Sequence, residues 1–448
     1  MKRFLSAILA LTMVLSLTAC GDKNESSSEV SESVPVESGD AVQESNTLSN
    51  PVKFNAEGDI DMEAALAYQT DYDAFVAAME AKEVDLSKPV SENALKNENT
   101  MEVFNYLKSI YGKQIMTCQQ QMDLSNIYED KIFYGATKDL PAMKGFDFIF
   151  CTGSYVDEGM VDSAIDWSKN SGGLVTFTWH WNVPRDIDNP DMGWAFYQEE
   201  IINWNPKNAV TPGTKEYEVV IHDIDLIASK LQKMESEGVT VLFRPLHEAS
   251  GAWFWWGLQP EDKMAIKEGT YEDTFQKLWY LIYDRIENYH KLTNVIWVWN
   301  GQSKYCTVNP NTYDIAGVDY YANSEDHSPC INKYNELASY TYEGKMLALS
   351  ECGYMPDPQQ CVDENIMWLY YMIWNGEFIY ECSGSGGAIT DFDGTPSPNT
   401  ERLTNEMIQE YYANEATISW TDLPAFRHGV HEIPQKITVW EYFKTPTD

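Results

Sequence analysis

The chain has 448 residues, 44% of them apolar and 22% charged, which suits one large domain or two ordinary ones with a substantial core. Its formal net charge is −38, from 69 acidic and 31 basic side chains. So acidic a protein is repelled by phosphate backbones and anionic headgroups, which argues against nucleic acid or a lipid surface as ligand and leaves a neutral ligand open.

The first element is an address. Lys2 and Arg3 precede an apolar run from Phe4 to Leu15, followed by Leu17-Thr18-Ala19-Cys20-Gly21. This is the pattern of a secretory signal, and the run is too short for a membrane-spanning helix. The ending resembles a bacterial lipobox, which implies removal of residues 1–19 and lipid modification of Cys20 at the outer face of the cell membrane. Residues 20–52 are rich in Ser, Glu, Val and Asn without apolar periodicity, and predict a flexible acidic tether. Residues 53–448 show no repeat and no second linker, so they are read as one domain with an N-terminal extension, acting as a monomer. After Cys20 come Cys118, Cys151, Cys306, Cys330, Cys352, Cys361 and Cys382, an odd number without zinc spacing. Cys306/Cys330 and Cys352/Cys361 are candidate bridges.

Within the domain, helical and strand signals alternate. Apolar strands are predicted near 114–120, 146–151, 173–180, 239–247, 294–300, 315–321, 346–351 and 369–375. Between the fourth and its predecessor, Val220, Ile224, Ile227, Leu231 and Met234 share one helical face, which Gly238 ends. Phe275, Leu278, Trp279, Ile282 and Ile286 mark another helix before the fifth strand. Eight such strands with helical or long connections predict an α/β fold, a (β/α)8 TIM-type barrel. An open doubly wound sheet is the rival, but no Gly-rich phosphate loop follows the first strand.

In such barrels the chemistry sits where strands end. The third strand ends Trp179-His180-Trp181-Asn182, the fourth Arg244-Pro245-Leu246-His247-Glu248, and the sixth Asp319-Tyr320-Tyr321. The seventh ends Ser350-Glu351-Cys352 and the eighth Trp374-Asn375. Two glutamates facing each other across a barrel rim suit a retaining glycosidase, where one carboxyl donates a proton and the other attacks. Trp253, Trp255 and Trp256 follow Glu248 directly, and the chain holds 15 Trp and 27 Tyr against 17 Phe. Such rings stack on sugars while hydrogen-bonding their hydroxyls. One or two of the three tryptophans must pack under the loop. Trp297 and Trp299 point the same way from their strand, and at least one belongs to the core.

Arg-Pro-Leu-His-Glu-Ala-Ser-Gly-Ala-Trp-Phe-Trp-Trp-Gly, with Trp-His-Trp-Asn before it and Ser-Glu-Cys-Gly after it, resembles glycoside hydrolase family 26 from about Tyr111 to about Glu381. That family contains mainly β-1,4-mannanases. The resemblance implies Glu248 as acid/base and Glu351 as nucleophile. It also implies His180, His247, Trp253, Asp319, Tyr321 and Trp374 as substrate-binding residues, with Tyr321 bonded to the nucleophile and Trp374 as a sugar floor. Many members carry Arg after that Trp; here Asn375 stands there. The reading is a retaining endo-β-1,4-mannanase acting on β-mannan, glucomannan or galactomannan, needing no cofactor and no metal. Rivals are the same fold acting on mixed-linkage β-glucan or β-1,3-xylan, and a non-catalytic sugar-binding lipoprotein. Asn300 is a further candidate for substrate contact, and Arg244 for pairing with a barrel carboxylate or orienting the nucleophile. His222, His290, His327, His428 and His431 are read as exposed.

Overall fold

The structure, a computed structural model, describes residues 49–122, 124–153, 159–259, 262–268, 273–383 and 387–444. The predicted signal segment, Cys20 and the predicted tether up to residue 48 lie outside them. Eight parallel strands form the sheet: β1 (Ile115–Gln120), β2 (Met143–Asp147), β3 (Leu174–Thr178), β4 (Val241–Arg244), β5 (Val295–Trp299), β6 (Ile315–Tyr320), β7 (Met346–Cys352) and β8 (Tyr370–Ile373). Each pairs with the next, and β8 returns to β1 with Met116 opposite Tyr370 and Gln119 opposite Ile373. The predicted (β/α)8 barrel therefore closes, leaving no edge among its eight strands. The strands are buried along nearly their whole length, as parallel strands covered on both faces must be, which is why they read as apolar runs. Inside, Phe148 stacks on Phe177 at 4.2 Å between centroids.

Two elements differ from expectation. The second strand covers 143–147, because the Phe146–Cys151 run leaves the ladder at Asp147. Asp147 accepts the N–H of Ile149 (2.9 Å) and turns the chain, while Phe148 stays in the core as a loop residue. Between β5 and β6 the only regular element is one 3₁₀ turn, Pro310–Thr312. The N-terminal extension takes that flank. Asn311 Nδ2 donates to the carbonyls of Met79 and Lys82, and the Val90 N–H donates to Asp314 (2.8 Å).

The helix Glu98–Ile110, capped by Asn97, buries Val103, Phe104, Leu107 and Ile110, and meets the start of β4 through Thr100 and Thr240 (3.2 Å). It lies across the N-terminal end of the barrel. Thr417–Ile418 adds a short ninth strand beside Ile115 and Met116 of β1. Ser49 and Val52, which composition placed in the tether, are packed: the Ser49 hydroxyl donates to buried Glu235 (2.5 Å).

The candidate disulfides do not form; all seven described cysteines are free thiols. Cys352 Sγ turns instead to the Met372 carbonyl across the β7–β8 ladder, and Cys330 Sγ to Ser328. Of the five histidines read as exposed, only His431 is so. His290 is buried against Asp225 (2.8 Å), because the helix it ends is covered by the extension. Among the described residues no helix is long and apolar enough to cross a membrane.

Candidate active site at the barrel mouth

Past Arg244 the chain leaves extended geometry. Leu246 and Glu248 both adopt left-handed backbone, φ 55° and 53°, a strained state for residues with side chains. The Glu248 N–H donates to Asn300 Oδ1 (3.2 Å) and Trp256 Nε1 to the His247 carbonyl (2.9 Å), and these bonds hold the turn. On β7 a bulge does similar work. Val318 pairs with Leu349 but Asp319 pairs with Glu351, so Ser350 is the extra residue and both Ser350 and Glu351 reach the interior. Gly317 makes room, since a Cβ there would collide with Ser350 Oγ.

Arg244, fully buried, is the hub. It donates to Asp319 Oδ2 (2.9 Å) and to Glu351 Oε1 (2.5 Å), while the Tyr321 hydroxyl donates to Glu351 Oε2 (2.6 Å). Both oxygens of Glu351 thus accept. Asp319 Oδ1 accepts from Ser350 Oγ (2.7 Å) and Asn300 Nδ2 (2.8 Å). Burial pushes Asp319 up to about 7, although Arg244 pulls it down. Asn300 is occupied by these protein contacts at the back of the site.

Glu248 has a different environment. Burial, then the negative charges of Asp319 and Glu351, push its carboxyl well above the usual range, against Arg244 and the Trp253 Nε1 donor (2.9 Å). Carboxyl oxygens of Glu248, Asp319 and Glu351 lie within 4.8 Å of one another. That spacing would suit a cation's ligands, but Arg244 already bridges two of the three with its own charge. The arrangement places a proton-holding carboxyl opposite a hydrogen-bond-accepting one across a small gap.

The opposite wall is built from β2, β3 and β4. His180 Nδ1 lies 2.5 Å from Asp147 Oδ2, and its Nε2 lies 3.2 Å from His247 Nε2. His247 Nδ1 meets Thr178 Oγ1 at 3.1 Å. The Trp374 ring sits 6.0 Å from His180, centroid to centroid. Trp253 is 45% exposed beside Glu248, whereas Trp255 and Trp256 are buried under the loop. Trp297 and Trp299 are both core, their Nε1 atoms donating to Glu287 and to the Cys306 carbonyl.

The eight residues Glu248, Glu351, His180, His247, Trp253, Asp319, Tyr321 and Trp374 therefore come together at one mouth. Sequence reasoning missed Asp147, Ser350 and Tyr197. Tyr197 stacks on Phe254, next to Trp253, at 5.5 Å between centroids, and burial, then the charge of Glu248, raises it to about 12. Asp147 did leave a signal, as the lone acid within Phe146–Cys151. Ser350 left none, since a bulge has no residue code.

A sequence profile of glycosyl hydrolase family 26 matches residues 90–386. A mannan endo-1,4-beta-mannosidase B from a Piromyces species is 35% identical over 341 residues, 74% of this chain and 53% of that protein. A mannan endo-1,4-beta-mannosidase A from a Piromyces species is also 35% identical, covering 79% of this chain and 54% of the relative. The chain thus spans about half the length of these curated relatives. Among solved structures, the GH26-CBM35 β-(1,4)-mannanase of Podospora anserina matches with TM-score 0.63 at 28% identity, over 76% of this chain and 69% of that one. A β-mannanase from a symbiotic protist of the termite Reticulitermes speratus, complexed with gluco-manno-oligosaccharide, matches with TM-score 0.62 at 26% identity, over 76% and 98%.

Proposed function

The chain belongs to glycosyl hydrolase family 26, and on that premise we propose that it is a retaining endo-β-1,4-mannanase, with Glu248 as acid/base and Glu351 as nucleophile. The observation that carries the reading is the close pair of unlike carboxyls. One carboxyl oxygen of each comes within 4.8 Å of the other, a close approach that suits a retaining pair, in which one carboxyl attacks while the other donates. In the first step a Glu351 oxygen bonds to the anomeric carbon. The bond to the leaving oxygen breaks, and that oxygen takes the proton of Glu248. In the second, Glu248 accepts a proton from water, whose oxygen displaces Glu351 with a second inversion. Arg244 and the Tyr321 hydroxyl orient the attacking carboxylate, and the raised proton affinity of Glu248 suits it to donate near neutral pH. Trp253, bonded to Glu248, and Trp374, beside His180, are read as platforms for the sugars flanking the cleaved bond.

Substrate assignment rests on the names of the relatives, so the test combines a panel of pure β-glycans with proton NMR of the first product. β-Mannan, glucomannan or galactomannan should be cut with kcat/KM at least ~10²-fold above xylan or β-glucan, because a site that hydrogen-bonds a sugar hydroxyl rejects analogues that misplace it. The new reducing end should appear first as the β anomer. Initial α anomer would overturn the nucleophile assignment. A best activity on mixed-linkage glucan or β-1,3-xylan would keep the mechanism and replace the substrate.

A further inference from the structure

The four ring nitrogens of His180 and His247 all have partners within the protein. Asp147, a carboxylate that also accepts the N–H groups of His180 (3.0 Å) and Ile149 (2.9 Å), accepts from His180 Nδ1–H. With that proton fixed, one histidine must donate and the other accept across the Nε2···Nε2 contact. Thr178 Oγ1 sits on His247 Nδ1 and also lies 3.4 Å from the Arg244 carbonyl, to which its own hydrogen can go. With its hydrogen on that carbonyl it accepts from His247 Nδ1–H, and His247 Nε2 is left as acceptor. His180 must then carry protons on both nitrogens.

The electrostatics run the same way. Burial pulls His180 down, but Asp147 more than reverses this, with Glu351 adding and Arg244 opposing. Burial, then the charges on His180 and Arg244, hold His247 far below the usual imidazole range. The charged groups acting on His180 are thus Asp147 from β2, Arg244 from β4 and Glu351 from β7; the rings of Phe196, Phe254 and Trp374 complete its surroundings.

We propose that Asp147 is a positioning residue that fixes His180 as an imidazolium and His247 as a neutral acceptor, so that a permanent positive charge stands in the mouth opposite Glu351. A cation there attracts the Glu351 carboxylate through space, in addition to the direct bond from Arg244. The histidine pair then acts on the reaction by its charge and its ring surfaces, with its nitrogens committed to the wall.

Imidazole ¹⁵N NMR of the intact wild-type protein tests the proton inventory without any substrate, so its outcome is separable from that of the mannanase reading, on which only the kinetic arm rests. His180 should stay doubly protonated through pH 7 and His247 should stay neutral down to pH 5, their signals identified by their loss in His180→Gln and His247→Gln. A neutral imidazole at both His180 and His247 at pH 7, or exchange of a proton between these two, would overturn the proposal. In the kinetic arm, Asp147→Asn should move the acid limb of kcat/KM to higher pH by about half a unit or more, since the through-space attraction of the imidazolium for the carboxylate facing it is lost. His180→Gln should give the same shift, and the double variant no more than either alone. A uniform loss at every pH, with both limbs in place, would mean that Asp147 only supports the fold.

Discussion

Glu248 and Glu351 are the same residue type a few ångströms apart, and their neighbours make them different. Glu351 receives a guanidinium and a phenol, while Glu248 receives one indole N–H and the repulsion of two acids. Glu248→Gln cannot protonate a leaving group and should lose about 10³-fold in kcat on polysaccharide. On aryl glycosides with good leaving groups the loss should be smaller, and azide should speed turnover by attacking the stalled intermediate. The same substitution has a thermodynamic side. A carboxyl whose folded pKa lies above its unfolded value binds more protons in the native state, so stability falls as pH rises from the ordinary carboxylate range through the raised value. At neutral pH Glu248→Gln should therefore raise the melting temperature while abolishing most activity, and the gain should vanish at pH 4. Differential scanning at the two pH values checks this. Residue identity at the strand ends was legible from the sequence, and the family resemblance implied the two roles and the Tyr321 bond; the repulsion that Asp319 brings to Glu248 was not legible, because it depends on strands far apart in the chain converging.

At the scale of elements, the barrel could be read because strands buried on both faces are apolar throughout, and the long helix Lys215–Ser236 because its buried positions keep helical spacing. Hydropathy alone misplaced the second strand, since Phe148 and Ile149 are as buried in a loop as they would be in a ladder. The expected rhythm of helix after strand also fails between β5 and β6, where a segment from the other end of the domain supplies the cover. The β7 bulge is the element on which the site depends most. Its extra residue, Ser350, holds Asp319 and receives Asn300, and the space for it exists only because residue 317 has no side chain. Gly317→Ala should cost about 1–3 kcal/mol by overpacking and lower kcat by disturbing the neighbours of Glu351. Denaturant unfolding and kinetics should both report more damage than in Ser350→Ala, which keeps the space and removes two hydrogen bonds. Equal effects would mean that the bulge tolerates the added methyl.

For the whole molecule, the proposed anchor at Cys20 makes a separate claim. The precursor of Cys20→Ser should escape normal processing, and the wild-type protein should fractionate with membranes, because two acyl chains on one cysteine hold stably where one is marginal. Recovery of wild-type protein wholly from the medium, with an N-terminus at residue 21 or later, would refute it. The order in which the domain is synthesised matters too. β1 is the first barrel strand made, yet two of its partners, Tyr370–Ile373 and Thr417–Ile418, are among the last. Until they arrive, its backbone can pair on one side only, with β2. Closing a loop of such length is entropically costly, and contacts that distant slow folding. Assembly of the mouth, to which β7 and β8 contribute Glu351 and Trp374, is therefore a late event in building the barrel: six strands must precede the one that brings Glu351.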